Sequence, residues 1–202
     1  MFDQVLDNFK VKLNEQREAL LFAFCESAKW VDKMCIKDIY IWAVDYDFEG
    51  SICLGFNLMS QLSENNLKIL KERKIKLVKF REPTSDIFYT GDWKYQDLSN
   101  KDIDIDNIVE KLRDVIRIDS DILYELWMGE DTPENAELYY SYNEKMKYIF
   151  QEFCFSVREE AIQKNELCRE YMDNRLFFVI EHEDSLEEAI DRNYIKTGRI
   201  VV

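Results

Sequence analysis

Apolar residues recur at helical spacing from the start of the chain. Val5, Leu6, Phe9, Leu13, Leu20, Leu21 and Phe24 return every three to four or seven positions with charges between them, which predicts one long amphipathic helix over 3–30. The period then changes. Residues 38–45, DIYIWAVD, are β-branched and aromatic with both alternating faces apolar, the pattern of a strand near the middle of a sheet. Residues 51–57, SICLGFN, read as a second strand, and the short 46–50 link ending in Gly50 suits a hairpin turn. Residues 62–74 predict a helix with Ser63 at its N-cap, and 75–80, IKLVKF, a strand or a helix end. Pro83, Gly91 and the polar residues around them make 81–100 mostly loop.

In the second half, 106–118 predicts a helix capped by Asp104 or Asp106, followed by irregular or broken helix over 119–133. The clearest long helix spans 134–168 and opens after Thr132-Pro133, with proline in the first turn. Residues 175–182, RLFFVIEH, read as a strand. Ser185 and Glu188 have the spacing of a capping box that opens a short helix to Asn193, and the tail YIKTGRIVV suits an edge strand. The order helix, hairpin, helix, loop, helices, strand, helix predicts an α+β fold: a small, mainly antiparallel sheet packed with several helices, as a single domain over 1–202.

Composition supports that pattern. Apolar residues are 47% of the chain and aromatic residues 14%, ample for a packed core. With 5 glycines and 2 prolines there are too few turn formers for an all-β sandwich or barrel. The five cysteines have no C-x-x-C spacing, so free thiols packed as small hydrophobes are expected rather than a disulfide framework or a zinc site. The opening MFDQVLDNFKVK carries acids where a secretory leader needs bases, and no run is apolar enough to span a membrane, so the expected location is cytoplasmic.

Charge sharpens the picture. The net charge of −14 repels phosphate backbones and anionic lipid, so neither nucleic acid nor membrane is an expected partner, whereas encounter with a basic protein would be accelerated. Acidity also serves solubility alone, and that plainer reading is the favoured one at this point. Residues 101–140 hold twelve acids and four bases, a net of −8, while 68–82 hold seven bases and two acids, a net of +5.

Four residues stand out as candidate binding positions: Asp45, Asp47, Trp93 and His182. Asp45, Asp47, Glu49 and Gly50 imitate the start of a calcium loop, but the position that must supply a bidentate carboxylate is Phe56, so a solvated hairpin turn is the better reading. His182, the only histidine, sits among Glu181, Glu183 and Asp184 at a strand end, where neighbouring carboxylates would raise its pKa. Trp93, in the loop GDWKY, is placed to line a cleft or an interface, whereas tryptophans elsewhere are expected in or at the rim of the core. The basic run Lys68, Lys71, Arg73, Lys74, Lys76, Lys79 and Arg81 could touch phosphate, but a solvated helix face explains it as well. No nucleophile elbow, phosphate-binding loop or dinucleotide fingerprint is present, so no catalytic residue, cofactor or metal is assigned. Met128 to Asp131 with Tyr139, Tyr140 and Tyr142 would form an acidic, aromatic surface of the composition that grips basic proteins, and an exposed helix flank has the same composition.

Two stretches, IYIWAVDYDFEGSICLGFN and LFFVIEHEDSLEEAIDRN, resemble the opening hairpin and the closing strand and helix of a bacterial family called "domain of unknown function forty-three-oh-three", with Trp93 where that family often has a tryptophan. The family brings no established activity. Comparable small acidic bacterial domains occur as immunity proteins beside toxin genes, which is an analogy of type. The leading expectation is therefore a non-enzymatic protein-binding module of immunity-protein type that recognises a basic partner. The alternative is an enzyme or ligand- or metal-binding domain with a site near His182 at the sheet edge, and a structural subunit of a homo-oligomer is a third reading.

Overall fold

The computed structural model describes residues 2–64, 67–68, 93–98, 103–129, 132–173 and 175–181. In chain order its elements are helices α1 (Phe2–Glu15) and α2 (Arg17–Lys33), strands β1 (Ile39–Tyr46) and β2 (Ile52–Leu58), a single 3-10 turn (Met59–Gln61), helices α3 (Ile105–Met128), α4 (Pro133–Lys164) and α5 (Glu166–Met172), and strand β3 (Leu176–Glu181). The class is α+β, with long helices on a small sheet.

The sheet has the order β2-β1-β3 and is mixed: β1 pairs antiparallel with β2 and parallel with β3. The central place of β1 follows from its two apolar faces. Trp42, Val44 and Tyr46 face the helices together with their register partners Phe56, Leu54 and Ile52 on β2 and Phe177 and Val179 on β3. Phe24 of α2 and Phe155 of α4 pack edge-on to Phe177, Phe150 of α4 lies 4.5 Å from Tyr46 between ring centroids, and the Trp42 indole N–H donates to the Tyr171 carbonyl of α5 at 2.8 Å. Ile41, Ala43, Phe178 and Ile180 on the opposite face are buried too. Residues 93–98 run along the outer edge of β2, where the Phe56 N–H donates to the Tyr95 carbonyl and the Leu98 N–H to the Leu54 carbonyl, both at 2.9 Å. That contact occupies backbone groups an open edge would offer to another chain.

Three boundaries depart from the pattern reading. The helix expected over 3–30 is two helices. The apolar phase continues through the break, since Phe9, Leu13, Leu20 and Phe24 are all buried, and neither glycine nor proline marks it. At Gln16 the N–H donates to the Leu13 carbonyl at 3.0 Å in a tight turn, and Arg17 then reaches α4, donating to Glu160 at 2.5 Å and to the Ser156 hydroxyl at 2.8 Å. Residues 119–128 are not irregular, because α3 runs unbroken to Met128. Its buried stripe is Ile105, Val109, Leu112, Ile116, Asp119 and Leu123, so an acid occupies a core position. Finally, 134–168 is divided at Asn165, whose extended backbone ends α4 and whose side chain accepts from the Cys168 N–H at 3.0 Å to start α5. The Thr132-Pro133 start holds, with the Asn135 N–H donating to the Thr132 hydroxyl at 3.2 Å. Of the helix expected over 62–74, Leu62 and Ser63 precede the helical residues and Glu64, Leu67 and Lys68 are helical; residues 65–66 and 69–74, the 75–80 segment, most of the basic run, loop 81–100 apart from 93–98, and everything after Glu181 lie outside the described residues.

The α1–α2 junction has a pH signature. Hydrogen bonds from Lys164 and then Arg17 hold the Glu160 carboxyl below its ordinary 4.5. A carboxylate with a depressed folded pKa stabilises the fold above its unfolded titration and ceases to do so as pH falls through the folded value. Urea unfolding of Glu160→Gln is therefore expected to show a smaller loss of midpoint between about pH 6 and about pH 3 than the parent shows, over the range in which glutamates titrate.

Candidate interaction surface

Beyond Leu123 on α3 and before Tyr142 on α4, none of the described residues is buried. The first turn of α1 meets α4 at Tyr142: the rings of Phe2 and Tyr142 are 5.0 Å apart, and the Tyr142 hydroxyl donates to Asp3 at 2.6 Å. Between there and the start of α4 lie residues 133–141, about 13 Å of helix at the usual rise. The end of the α3–α4 hairpin thus lies at the margin of the core, with Leu126 and Tyr139 only partly buried against it.

That hairpin end is aromatic. Trp127 and Tyr139 stack with ring centroids 5.0 Å apart and planes at 21°. Tyr124 meets Trp127 edge-on at 5.5 Å, and Tyr140 meets Tyr139 at 5.5 Å. Much of this apolar surface faces solvent: Tyr124 is 48% exposed, Tyr140 61% and Met128 51%. Trp127 keeps its indole N–H shielded from solvent with no hydrogen-bond partner. Burial explains ring packing in a core, but here partly exposed rings cluster at its margin.

The electrostatics are one-sided. Between Arg117 and Lys145 the sequence holds eight acids and no lysine or arginine. Asp119 is turned inward to Lys12, whereas Asp121, Glu125, Glu134 and Glu137 are exposed on the same end of the hairpin. Glu134 also lies in the first turn of α4, where the helix dipole favours a carboxylate. Stacked rings with carboxylates around them attract Lys and Arg side chains, through the ring face and through ion pairing.

No family model, curated protein or solved structure matches the chain.

Asp47 is a turn residue. Its carboxylate accepts from the Ser51 N–H at 2.9 Å, its own N–H donates to the Ser51 carbonyl at 3.1 Å, and Gly50 closes the turn at φ +101°. Asp45 is half-buried opposite Cys53, whose thiol is pushed up to about 11, first by burial and then by the negative charges of Asp97 and Asp45. The parallel register sets Asp45 beside Ile180 and Tyr46 beside Glu181, so the hairpin end of β1 and the end of β3 come together. Glu181 is buried there and pairs with Lys147 of α4 at 3.1 Å. His182 lies outside the described residues. Trp93 is not with this group: Tyr95 bridges Phe56, which puts Trp93 toward the far end of β2, 3% exposed. Among the described residues no three His, Cys, Asp or Glu side chains converge as a metal site, and no helix is long and apolar enough to cross a membrane.

Sequence reasoning therefore found half of the aromatic surface. It named Met128, Tyr139 and Tyr140 but expected Trp127 in or at the rim of the core. It also included Tyr142, which is buried at the base of the hairpin end. The signal it passed over was the i to i+3 spacing of Tyr124 and Trp127, which puts both rings on one side of α3.

Proposed function

We propose that this protein is a non-enzymatic binding module of immunity-protein type, which grips a basic protein partner with the outer end of the α3–α4 hairpin. The observation that carries the reading is the exposed Tyr124–Trp127–Tyr139–Tyr140 cluster within a stretch that has no cation of its own. An aromatic patch supplies the buried centre of an interface, and the acids around it supply steering and register. The net charge of −14 adds long-range attraction for the same partner.

The test is calorimetric titration with a lysine- and arginine-rich peptide that also carries leucines, at low and at physiological salt. Binding is expected to weaken as salt rises. Trp127→Ala is expected to weaken it roughly thirtyfold, the about 2 kcal/mol of an interface hot spot. Because Trp127 is only half-buried and is not among the core residues, the same variant should unfold within about 0.5 kcal/mol of the parent, as substitutions away from the core do. Affinity indifferent to salt, or unchanged in Trp127→Ala, would sink the proposal.

A ligand site at the hairpin end of the sheet is the second reading, favoured by the register that places Tyr46 beside Glu181, one position before His182. His182→Ala should then abolish any ligand-dependent rise in melting temperature, and equal rises in both proteins would count against it.

A further inference from the structure

Cys25 of α2 and Cys168 of α5 have their sulfurs 3.8 Å apart, although 143 residues separate them in sequence. Both are free thiols, Cys25 half-buried and Cys168 buried. A disulfide needs about 2.05 Å between sulfurs, so a closure of about 1.7 Å is required. We propose that Cys25 and Cys168 form a peroxide-sensitive dithiol, a modification site that on oxidation ties α2 covalently to α5. This is independent of the reading of the hairpin end.

The surroundings divide the roles. Cys25 has the more open sulfur and Lys29 one turn along the same helix, and the Lys29 ammonium acts electrostatically on both sulfurs. Cys25, the less buried of the two, is the sulfur an oxidant from solvent meets first. Burial holds the Cys168 thiol well above its ordinary range, so Cys168 suits the resolving position, protonated until its partner is activated.

In the first step the Cys25 thiolate sulfur attacks one oxygen of hydrogen peroxide. The O–O bond breaks, Cys25 becomes a sulfenic acid, and the departing hydroxide takes the proton Cys25 had released and leaves as water. In the second step the Cys168 sulfur attacks the Cys25 sulfur. The S–S bond forms, the S–O bond breaks, and the hydroxide leaves as water with the Cys168 proton. Two thiols lose two electrons in total and one peroxide is reduced to two waters, the reversible first stage of cysteine oxidation.

The product has a defined structural consequence. Helix α5 joins α4 to β3, its Tyr171 carbonyl accepts the Trp42 indole N–H at 2.8 Å, and the Tyr171 hydroxyl donates to Asp32 of α2 at 2.8 Å. The new bond would reinforce a junction that is already ordered, and a cross-link closing a long loop restricts the unfolded chain strongly.

The experiment takes the fully reduced protein, exposes it to hydrogen peroxide, alkylates the remaining thiols and maps the peptides. The expected result is one intramolecular link between Cys25 and Cys168, reversed by dithiothreitol, with a higher melting temperature in the oxidised form. Cys35→Ser, which removes an exposed thiol, should form the same link, and Cys25→Ser should not show the melting shift. Peroxide-treated protein with Cys25 and Cys168 still alkylated, Cys25 carried on to sulfinic acid without a link, or either cysteine joined to Cys35, Cys53 or a second molecule would each overturn the proposal.

Discussion

Gly55→Ala is expected to destabilise the protein by about 3 kcal/mol, the upper part of the range for overpacking, or to prevent folding. Gly55 sits in β2 opposite Ala43, so backbone freedom is not what the position requires. Space is. A Cβ there would stand 2.5 Å from the Gln96 carbonyl oxygen and 2.7 Å from that of Tyr95. Those atoms belong to backbone, and the segment is pinned on either side of them by the Phe56-to-Tyr95 and Leu98-to-Leu54 hydrogen bonds. A flexible side chain could turn away from a methyl group, but this backbone must lift off, losing both bonds and the stacking of Tyr95 on Phe56 at 4.6 Å. Urea unfolding measures the cost, and near-ultraviolet dichroism should report the release of Trp93 and Tyr95. A loss below about 1 kcal/mol, the cost of an ordinary substitution, would mean that residues 95–96 do not cross β2 at this point.

Asp119→Ala is expected to cost about 3 kcal/mol, the lower end of what breaking a buried ion pair costs. Asp119 is 1% exposed, and both of its oxygens accept from the Lys12 ammonium, at 2.8 and 3.0 Å. Removing the carboxylate leaves a void in the stripe between Ile116 and Leu123 and strands the lysine. Lys12 is about one-third exposed and can swing to water, which keeps the cost from rising further. The pair is replaceable in principle: Asp119→Leu combined with Lys12→Met should restore most of the stability, because a well-packed apolar pair avoids the desolvation that a buried ion pair incurs. Comparing urea midpoints of the parent, the single variant and the double variant decides it. A double variant no better than Asp119→Ala would show that α1 and α3 need the charges themselves.

These residues also mark where pattern reading succeeds and fails. Alternation and β-branching placed β1 and β2 within one residue of their observed ends, because both strands are bounded by residues that cannot continue them. Thr132-Pro133 opened α4 as expected, since cap and first turn are local chemistry. The continuation of α3 past Ile118 was not legible, because Asp119 is held in the apolar stripe by Lys12, 107 residues away in sequence. The break at Gln16 has no local cause, since the apolar phase runs through it and Arg17 is drawn to α4 by tertiary contacts. The parallel pairing of β3 was equally hidden, for an apolar strand buried on both faces fits either direction. At the candidate surface, composition disclosed the acids and tyrosines, but only the geometry of the helix pair put Trp127 outside and Tyr142 inside.

The marginal position of the hairpin end has an evolutionary corollary. Its largely exposed positions, Tyr124, Met128 and Tyr140, can be exchanged at little cost to the fold, so descendants of this chain can alter this surface while the body beneath stays the same.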